Sequence, residues 1–522
     1  MVNPAPLLVG LDVGTTSIKA VIYEPDGRAV AKAVTPTPTH HPSPGRAHYL
    51  ASELWAAVVG VLRRATGQVD DPRRVVGIAV ASVGESLVLV DAAGEPTTDE
   101  VIAWFDTRAQ PQATWLDRVI GQDELFARSG LSLQPIFSLC KLLWLKEHAP
   151  DPWHRMARVH LVADYIAFRL CGVPATDVSL ASRTLALDLG GLRWHEGTIR
   201  EAGLNPAIFA PLVAGGTRLG LVSAGAAAAT GLPTTAIVGA GGHDHVCGAL
   251  AAGVTEPGAM LNSLGTAEAF FLPLATPLTD PEAGRQGFTQ GAHVVGGRGY
   301  AFGGIYTSGA SIEWARDLLF PGPDPDASYR SLITASAAAP PGSLGVTFLP
   351  HLRLADPPYN DPRSRGTFVG LTTDVGRGEM ARAVLEGIAF EGRLTMEALF
   401  SHAAVTPPAE VVTIGGSSRN DLLMRIKAAV TNRPHVVIAA EEATALGAAL
   451  LGGLAAGLYR NVPDAVRGLR HDRVTIAPDP TTVPIYDAIF ERVFRNLYGT
   501  VAPISHAISD LRQVHDEASG DS

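Results

Sequence analysis

Three cysteines in 522 residues, Cys140, Cys171 and Cys247, are too few and too scattered for a disulfide framework, which suits a reducing compartment. Long apolar runs are missing too, so no membrane span is expected. Met1 to Pro6 holds no basic stretch, and the apolar Leu7–Leu11 is broken at once by Asp12. No signal peptide is therefore expected, and a cytoplasmic location is. Positive charge is in short supply: 41 Lys and Arg against 51 Asp and Glu leave a net charge of −10. That balance excludes a general nucleic-acid binder, and no Lys/Arg cluster suits an anionic membrane surface.

What is present is apolar. Hydrophobic residues make up 46% and charged residues 18%, the balance of sizeable buried cores rather than of disorder. A chain of this length exceeds one ordinary core, so two large domains with a small-molecule cleft between them are expected.

Leu7–Leu11 and Ile18–Tyr23 read as strands around the small-residue turn Gly14-Thr15-Thr16-Ser17. A strand–turn–strand opening carries neither a P-loop nor a Rossmann glycine fingerprint. Thr35–Gly45, with four prolines, reads as a loop, and Ser52 as the cap of a following helix. Val75–Val80 and Leu87–Val90 are expected strands, and Leu139–Leu145 and Val162–Leu170 buried helices. Ala236–Gly239 is a strand ending in glycines, and a close-packed helix of small residues follows from Val246. The domain boundary falls near Gly253–Pro257, giving 1–253 and 254–505, with a polar tail at 506–522 expected to fray.

The second half repeats the opening. Met260–Leu264, the turn Gly265-Thr266-Ala267 and Glu268–Leu272 again read strand, turn, strand, a weak internal repeat. A helix over Met380–Phe400 follows from its apolar spacing. Val411–Ile414 is a strand running into Gly415-Gly416-Ser417-Ser418. Then come a helix Leu422–Val430, a strand Val436–Ala439 and a helix of small residues, Ala443–Ala456.

Five segments could carry chemistry. Asp12-Val13-Gly14-Thr15-Thr16-Ser17, with Lys19, exposes consecutive N–H groups and hydroxyls of the kind that bind phosphate. Asp12 there could hold Mg²⁺ through water; a solvated hairpin turn is the plain alternative. In Gly242-His243-Asp244-His245, Asp244 could be a base for an attacking hydroxyl, part of a metal site, or simply a helix cap. Gly415-Gly416-Ser417-Ser418-Arg419-Asn420 joins a strand to a helix and could take a flat ligand and partial negative charge. Glu85, in Ser82-Val83-Gly84-Glu85, could accept bonds from sugar hydroxyls, although a solvated Glu is the default. In Trp104-Phe105-Asp106-Thr107-Arg108, Trp104 could stack on a sugar; a buried aromatic with a surface ion pair explains it equally well.

Taken in order and separation, these segments resemble the FGGY family of carbohydrate kinases over roughly residues 7 to 500. Asp12–Lys19 is similar to its first phosphate motif, Gly265-Thr266 to its second, Gly415–Asn420 to its adenosine motif and Glu442–Ala449 to a stretch near its end. The resemblance implies an α/β fold of two ribonuclease-H-like domains, of the actin, heat-shock and sugar-kinase superfamily, flanking an ATP cleft. It implies that ATP and Mg²⁺ are used and that Asp244 takes the proton of a sugar or polyol hydroxyl. Asp12 and Asp244 would serve the metal. Gly14, Thr15, Thr16 and Lys19 would serve one set of phosphates, and Gly265 and Thr266 the γ-phosphate. Gly304, Gly309, Gly415, Gly416, Ser417 and Asn420 would line the nucleotide site. Gly84, Glu85, Trp104 and His245 would meet the acceptor. A homodimer is plausible for the family.

The departures lie around the acceptor. Val83-Gly84-Glu85 matches neither the Met-His-Gly of xylulokinases nor the Gln-Arg-Glu of glycerol kinases. Ile136 stands where a tyrosine is expected, and His245 where Asn or Gln is common. Two other readings remain at this point: an ATP-driven conformational protein of the same superfamily, and a metal-dependent hydrolase built on His243, Asp244 and His245.

Overall fold

A computed structural model of the chain describes residues 5–439 and 442–519. Strands form where branched apolar residues run unbroken and both faces find cover. Leu7–Val13 (β1) is buried at every position and pairs antiparallel with Ser17–Tyr23 (β2), which pairs with Ala29–Pro36 (β3). Val75–Ser82 (β4) lies parallel to β1 on its other side. Ile237–Gly239 (β5) and the two-residue strand Gly242–His243 (β6) both pair with β4, and Arg218–Leu221 closes the edge. Asp244–Ala251 (α1) leaves directly from β6.

The second sheet is built the same way. Leu261–Leu264 (β7) and Glu268–Leu274 (β8) form an antiparallel hairpin, and β8 pairs with Gly299–Ile305 (β9). Gly309–Leu319 (α2) follows β9. Val411–Ile414 (β10) runs parallel to β7, as β4 does to β1. Asp421–Thr431 (α3), His435–Ile438 (β11) and Ala443–Ala455 (α4) follow, and Arg473–Ile476 pairs with β11 at the sheet's edge. The strand–turn–strand repeat is thus a repeat of topology: a hairpin whose first strand takes a parallel partner occurs once in each sheet.

The helix α4 belongs to the second sheet by chain order but packs on β1 and β4 of the first, and on α1. It can do so because both surfaces are stripped of side chains. A Cβ on Gly10 of β1 would stand 1.7 Å from the Ala445 carbonyl oxygen, and one on Gly447 of α4 would stand 1.9 Å from that of Cys247. Backbones therefore touch directly. One hydrophobic cluster runs through this contact, from Leu8 and Ala79, through Val246, Leu250, Leu446 and Leu450, to Leu261 and Val412 of the second sheet.

Local expectations fail where tertiary pairing overrides them. Thr35–Gly45 is not a plain loop: β3 reaches Pro36, and His40–Ser43 pairs with Arg46–Leu50, with the prolines at the edge. Ser52 is not the cap of Ala51–Thr66. Leu50 holds that position, and the Ser52 amide and hydroxyl bond to Asp99 instead. The chain past Ser505 continues the helix Arg495–Ser519. All three cysteines are free thiols, and among the described residues no helix is long and apolar enough to cross a membrane.

Candidate active site

In a sheet with parallel neighbours, ligands collect at the carboxyl ends of the strands. Asp12 is near the carboxyl end of β1, level with Ala81 of β4, and β6 meets β4 at the same level, Ala81 and Ser82. Asp12 and Asp244 are thereby brought to one place from opposite flanks of β4. Their charges feel each other. Burial, reinforced by Asp244 and also by Glu442, pushes Asp12 up to about 7 against the pull of Lys19. Asp244 stays on the acidic side of the usual range: burial opposes its charge, but His245, His243 and the His245 amide, at 2.6 Å, outweigh it.

The β1–β2 turn is held open by partners outside it. Thr37 donates its hydroxyl to the Gly14 carbonyl at 2.7 Å, and its amide to that of Thr16 at 3.0 Å. Trp104 donates its indole N–H to the Thr15 hydroxyl at 2.8 Å, so this ring anchors the turn. Lys19 sits at the salt-bridge limit from Asp12, 3.9 Å, but only 2.7 Å from Glu442, which also pairs with Lys32 at 2.6 Å.

Glu85 is not solvated. It follows β4 with a φ of +61°, is 4% exposed, and pairs with Arg183 at 2.7 Å. Sequence reasoning missed Arg183, because nothing in Ser182-Arg183-Thr184 distinguishes it from a surface arginine. Its guanidinium lies over the Phe137 ring, 5.3 Å from the centroid. Gly84 is the residue that makes room: a Cβ there would meet the Arg183 Cγ at 2.8 Å and His243 Cδ2 at 3.3 Å. Arg183 and His243 of β6 are thus packed around one glycine. His243, held neutral because burial draws it down to about 4, has Nε2 3.3 Å from the Asp244 carboxylate. His245 is exposed and contacts Phe302 of β9, ring centroids 4.9 Å apart. The Asp106–Arg108 pair is not on the surface either: both side chains are buried, and Asp106 also accepts the Ala47 amide at 2.6 Å.

On the second sheet, Gly265 and Thr266 are exposed at the β7–β8 turn. The start of α2 presses against that turn: the Ala310 amide donates to the Thr266 carbonyl at 3.0 Å, and a Cβ on Gly309 would lie 2.4 Å from the Gly265 oxygen. Gly304 is packed on the backbone of Glu268, where a Cβ would lie 2.5 Å from its carbonyl oxygen, so it shapes the strand pair. Gly415 takes a φ of +103° with its α-carbon against Leu264, which joins the glycine platform to the turn, while Gly416 stands open and Ser417 is half-buried. Asn420 is occupied: its oxygen caps α3 at the Leu423 amide and its amide donates to the Tyr329 hydroxyl.

Residues 7–251 match the N-terminal domain of the FGGY family of carbohydrate kinases, and residues 260–456 match its C-terminal domain. The chain belongs to that family. The FGGY kinase is similar to a xylulose kinase of Bacillus subtilis, 26% identical over 517 residues, covering 97% of this chain and 99% of the relative. It is similar to a glycerol kinase of Trichlorobacter lovleyi, 31% identical over 465 residues, covering 87% and 91%. The solved xylulose kinase of Rhodospirillum rubrum superposes with a TM-score of 0.88, at 30% identity, over 96% of this chain and 100% of that one. The two sheets are therefore the paired domains of the actin-like, ribonuclease-H-like superfamily. The kinase is a phosphotransferase that uses ATP to phosphorylate an alcohol group of a sugar or polyol. Among its described residues, no group of three or more His, Cys, Asp or Glu is arranged to hold a metal, so His243, Asp244 and His245 form no hydrolase-type metal cluster.

The loops that carry Glu85 and Trp104 are held by Lys141, which is fully buried. Its ammonium donates to the carbonyls of Ala103, at 2.9 Å, and Trp104, at 3.1 Å, and lies 3.5 Å from that of Glu85. Burial draws it down to about 7, partly offset by Glu85 and Asp106. Replacing it by Met keeps the length and removes the donors. Lys141→Met is expected to raise the acceptor KM about tenfold, the scale of one charged hydrogen bond, with the ATP KM unchanged. Steady-state ADP release checks this.

Proposed function

We propose that Asp244 is the general base, that Asp12 and Asp244 hold Mg²⁺, and that the acceptor is a small neutral polyol or ketose read by Glu85 and Arg183. The observation that carries this is convergence. Asp12, Asp244 and the Glu85–Arg183 pair, from four separate stretches of chain, gather around the end of β4.

Two hard carboxylates, of which Asp244 raises the proton affinity of Asp12, suit Mg²⁺, which keeps most of its water and takes few protein ligands. Bound with ATP, it neutralises phosphate charge. The protein's own groups do the rest. The N–H groups and hydroxyls of Thr15 and Thr16 on one side, and of Thr266 on the other, receive the phosphates, at turns that Gly14 and Gly265 close by donating their own amides to the Ser17 and Ala267 carbonyls. Lys19 would reach a phosphate by leaving Glu442. Gly304, Gly309, Gly415, Gly416 and Ser417 shape the nucleotide floor, with Asn420 bracing α3 beneath it.

Glu85 and Arg183 place the acceptor, with Trp104 alongside. The acceptor oxygen attacks the γ-phosphorus while its proton passes to an Asp244 oxygen, and the bond to ADP breaks. A carboxylate of low proton affinity suits a loose transition state, in which the hydroxyl becomes acidic only as the new bond forms. Because Arg183 is already balanced by Glu85, the site offers it as a hydroxyl donor rather than as a counter-ion for an aldonate. A cytoplasmic location and a homodimer complete this reading.

The test is ADP release over a panel of neutral polyols, ketoses and aldonates. Stimulation by a neutral member is expected. Stimulation by aldonates alone would overturn the substrate class, and by none the acceptor reading altogether.

A further inference from the structure

A base is only as good as its placement, and Asp244 hangs from a two-residue strand. Its neighbour His243 pairs with Ser82 of β4 and goes no further along that strand. The His243 amide instead donates to the Ser179 hydroxyl oxygen at 2.9 Å. Ser179 is fully buried, and its hydroxyl proton goes to Asp177 Oδ1, which also accepts the amides of Ser179, at 2.8 Å, and Leu180, at 3.2 Å.

A serine hydroxyl has one proton. With that proton committed to Asp177, the lone pairs of Ser179 face the His243 N–H. Burial pushes Asp177 up to about 7, and the proton it takes up belongs on Oδ2, which has no hydrogen-bond partner among the described residues, so Oδ1 remains an acceptor. The fit leaves little slack: a Cβ on Gly242 would lie 3.1 Å from the Ser179 oxygen. The same stretch of chain then delivers Arg183 to Glu85. One segment, Asp177–Arg183, thus touches both the base strand and the acceptor pair.

We propose that Ser179, oriented by Asp177, is a positioning residue that sets the reach of the Asp244 carboxylate toward the acceptor hydroxyl. This rests on Asp244 being the base. Displacing a reacting group by about 1 Å can cost on the order of 10²-fold in rate.

The experiment is steady-state kinetics on the full chain for Ser179→Ala, Ser179→Thr and Asp177→Asn, with Asp244→Asn alongside. Ser179→Ala is expected to lower kcat about tenfold or more, with the ATP KM within about twofold of wild type. Ser179→Thr keeps the hydroxyl and Asp177→Asn keeps an Oδ1 acceptor, so at least one of the two recovers most of kcat. A wild-type kcat in Ser179→Ala, or an equal loss in all three variants, overturns the proposal. If Asp244→Asn is inactive while Ser179→Ala is unimpaired, only the positioning role falls. If Asp244→Asn turns over normally, the base assignment falls and takes this inference with it.

Discussion

Asp244→Asn is expected to lower kcat at least about 10²-fold and to leave ATP binding intact, the signature of a lost proton acceptor. Asn is nearly isosteric and keeps one oxygen. The contact from the His245 amide to Oδ1 survives, and so does the fold around α1. What disappears is the negative charge that His245 and its amide help to hold. Losing that charge also relieves Asp12, whose proton affinity Asp244 raises, so Asp12 becomes the stronger acid in the variant. ATP affinity by equilibrium titration and turnover by ADP release separate the two effects. Normal turnover would remove Asp244 from the mechanism.

Arg183→Leu is the second large effect. It strips the guanidinium from a buried carboxylate, and breaking a buried pair from one side costs about 3–5 kcal/mol when the survivor stays charged. Glu85 would then either take up a proton or draw water into the acceptor site, and neither state reads hydroxyls as before. The acceptor kcat/KM is expected to fall about 10²-fold or more, and the thermal midpoint to drop. Glu85→Gln in the same chain removes the stranded charge, so the double variant should regain stability relative to Arg183→Leu without regaining acceptor affinity. A double-mutant cycle on both quantities measures the coupling. Additive effects would show that the 2.7 Å contact between Arg183 and Glu85 contributes nothing to the site.

The motifs that lie on a turn between two strands were legible because their chemistry is local. Gly14-Thr15-Thr16 and Gly265-Thr266 are small-residue turns whatever else the protein does, and both join the strands of a hairpin, closed by the Gly14 and Gly265 amides. The strands themselves were legible because β1, β4 and β10 are short segments rich in Val, Ile and Leu, interrupted only by small or single polar residues. Ser52 was misread because its polar side chain found Asp99, 47 positions away, before it could cap its own helix. Glu85 was read as solvated because no local signal announces a partner 98 positions downstream.

By itself, then, the sequence determined the family, the two sheets, and the small-residue turns with the acidic residue, Asp12, beside the first of them. These depend on composition and near-neighbour spacing. Only the tertiary structure decided which charge each acid meets. Arg183 was joined to Glu85, Ser179 to His243, Lys141 to Ala103 and Glu442 to Lys19, each by contacts between chain segments far apart in number. The reason is dielectric as much as geometric. A buried charge must be paired or neutralised, and the partner is whichever group the packing of backbone on backbone, as at Gly10 and Gly84, brings within reach.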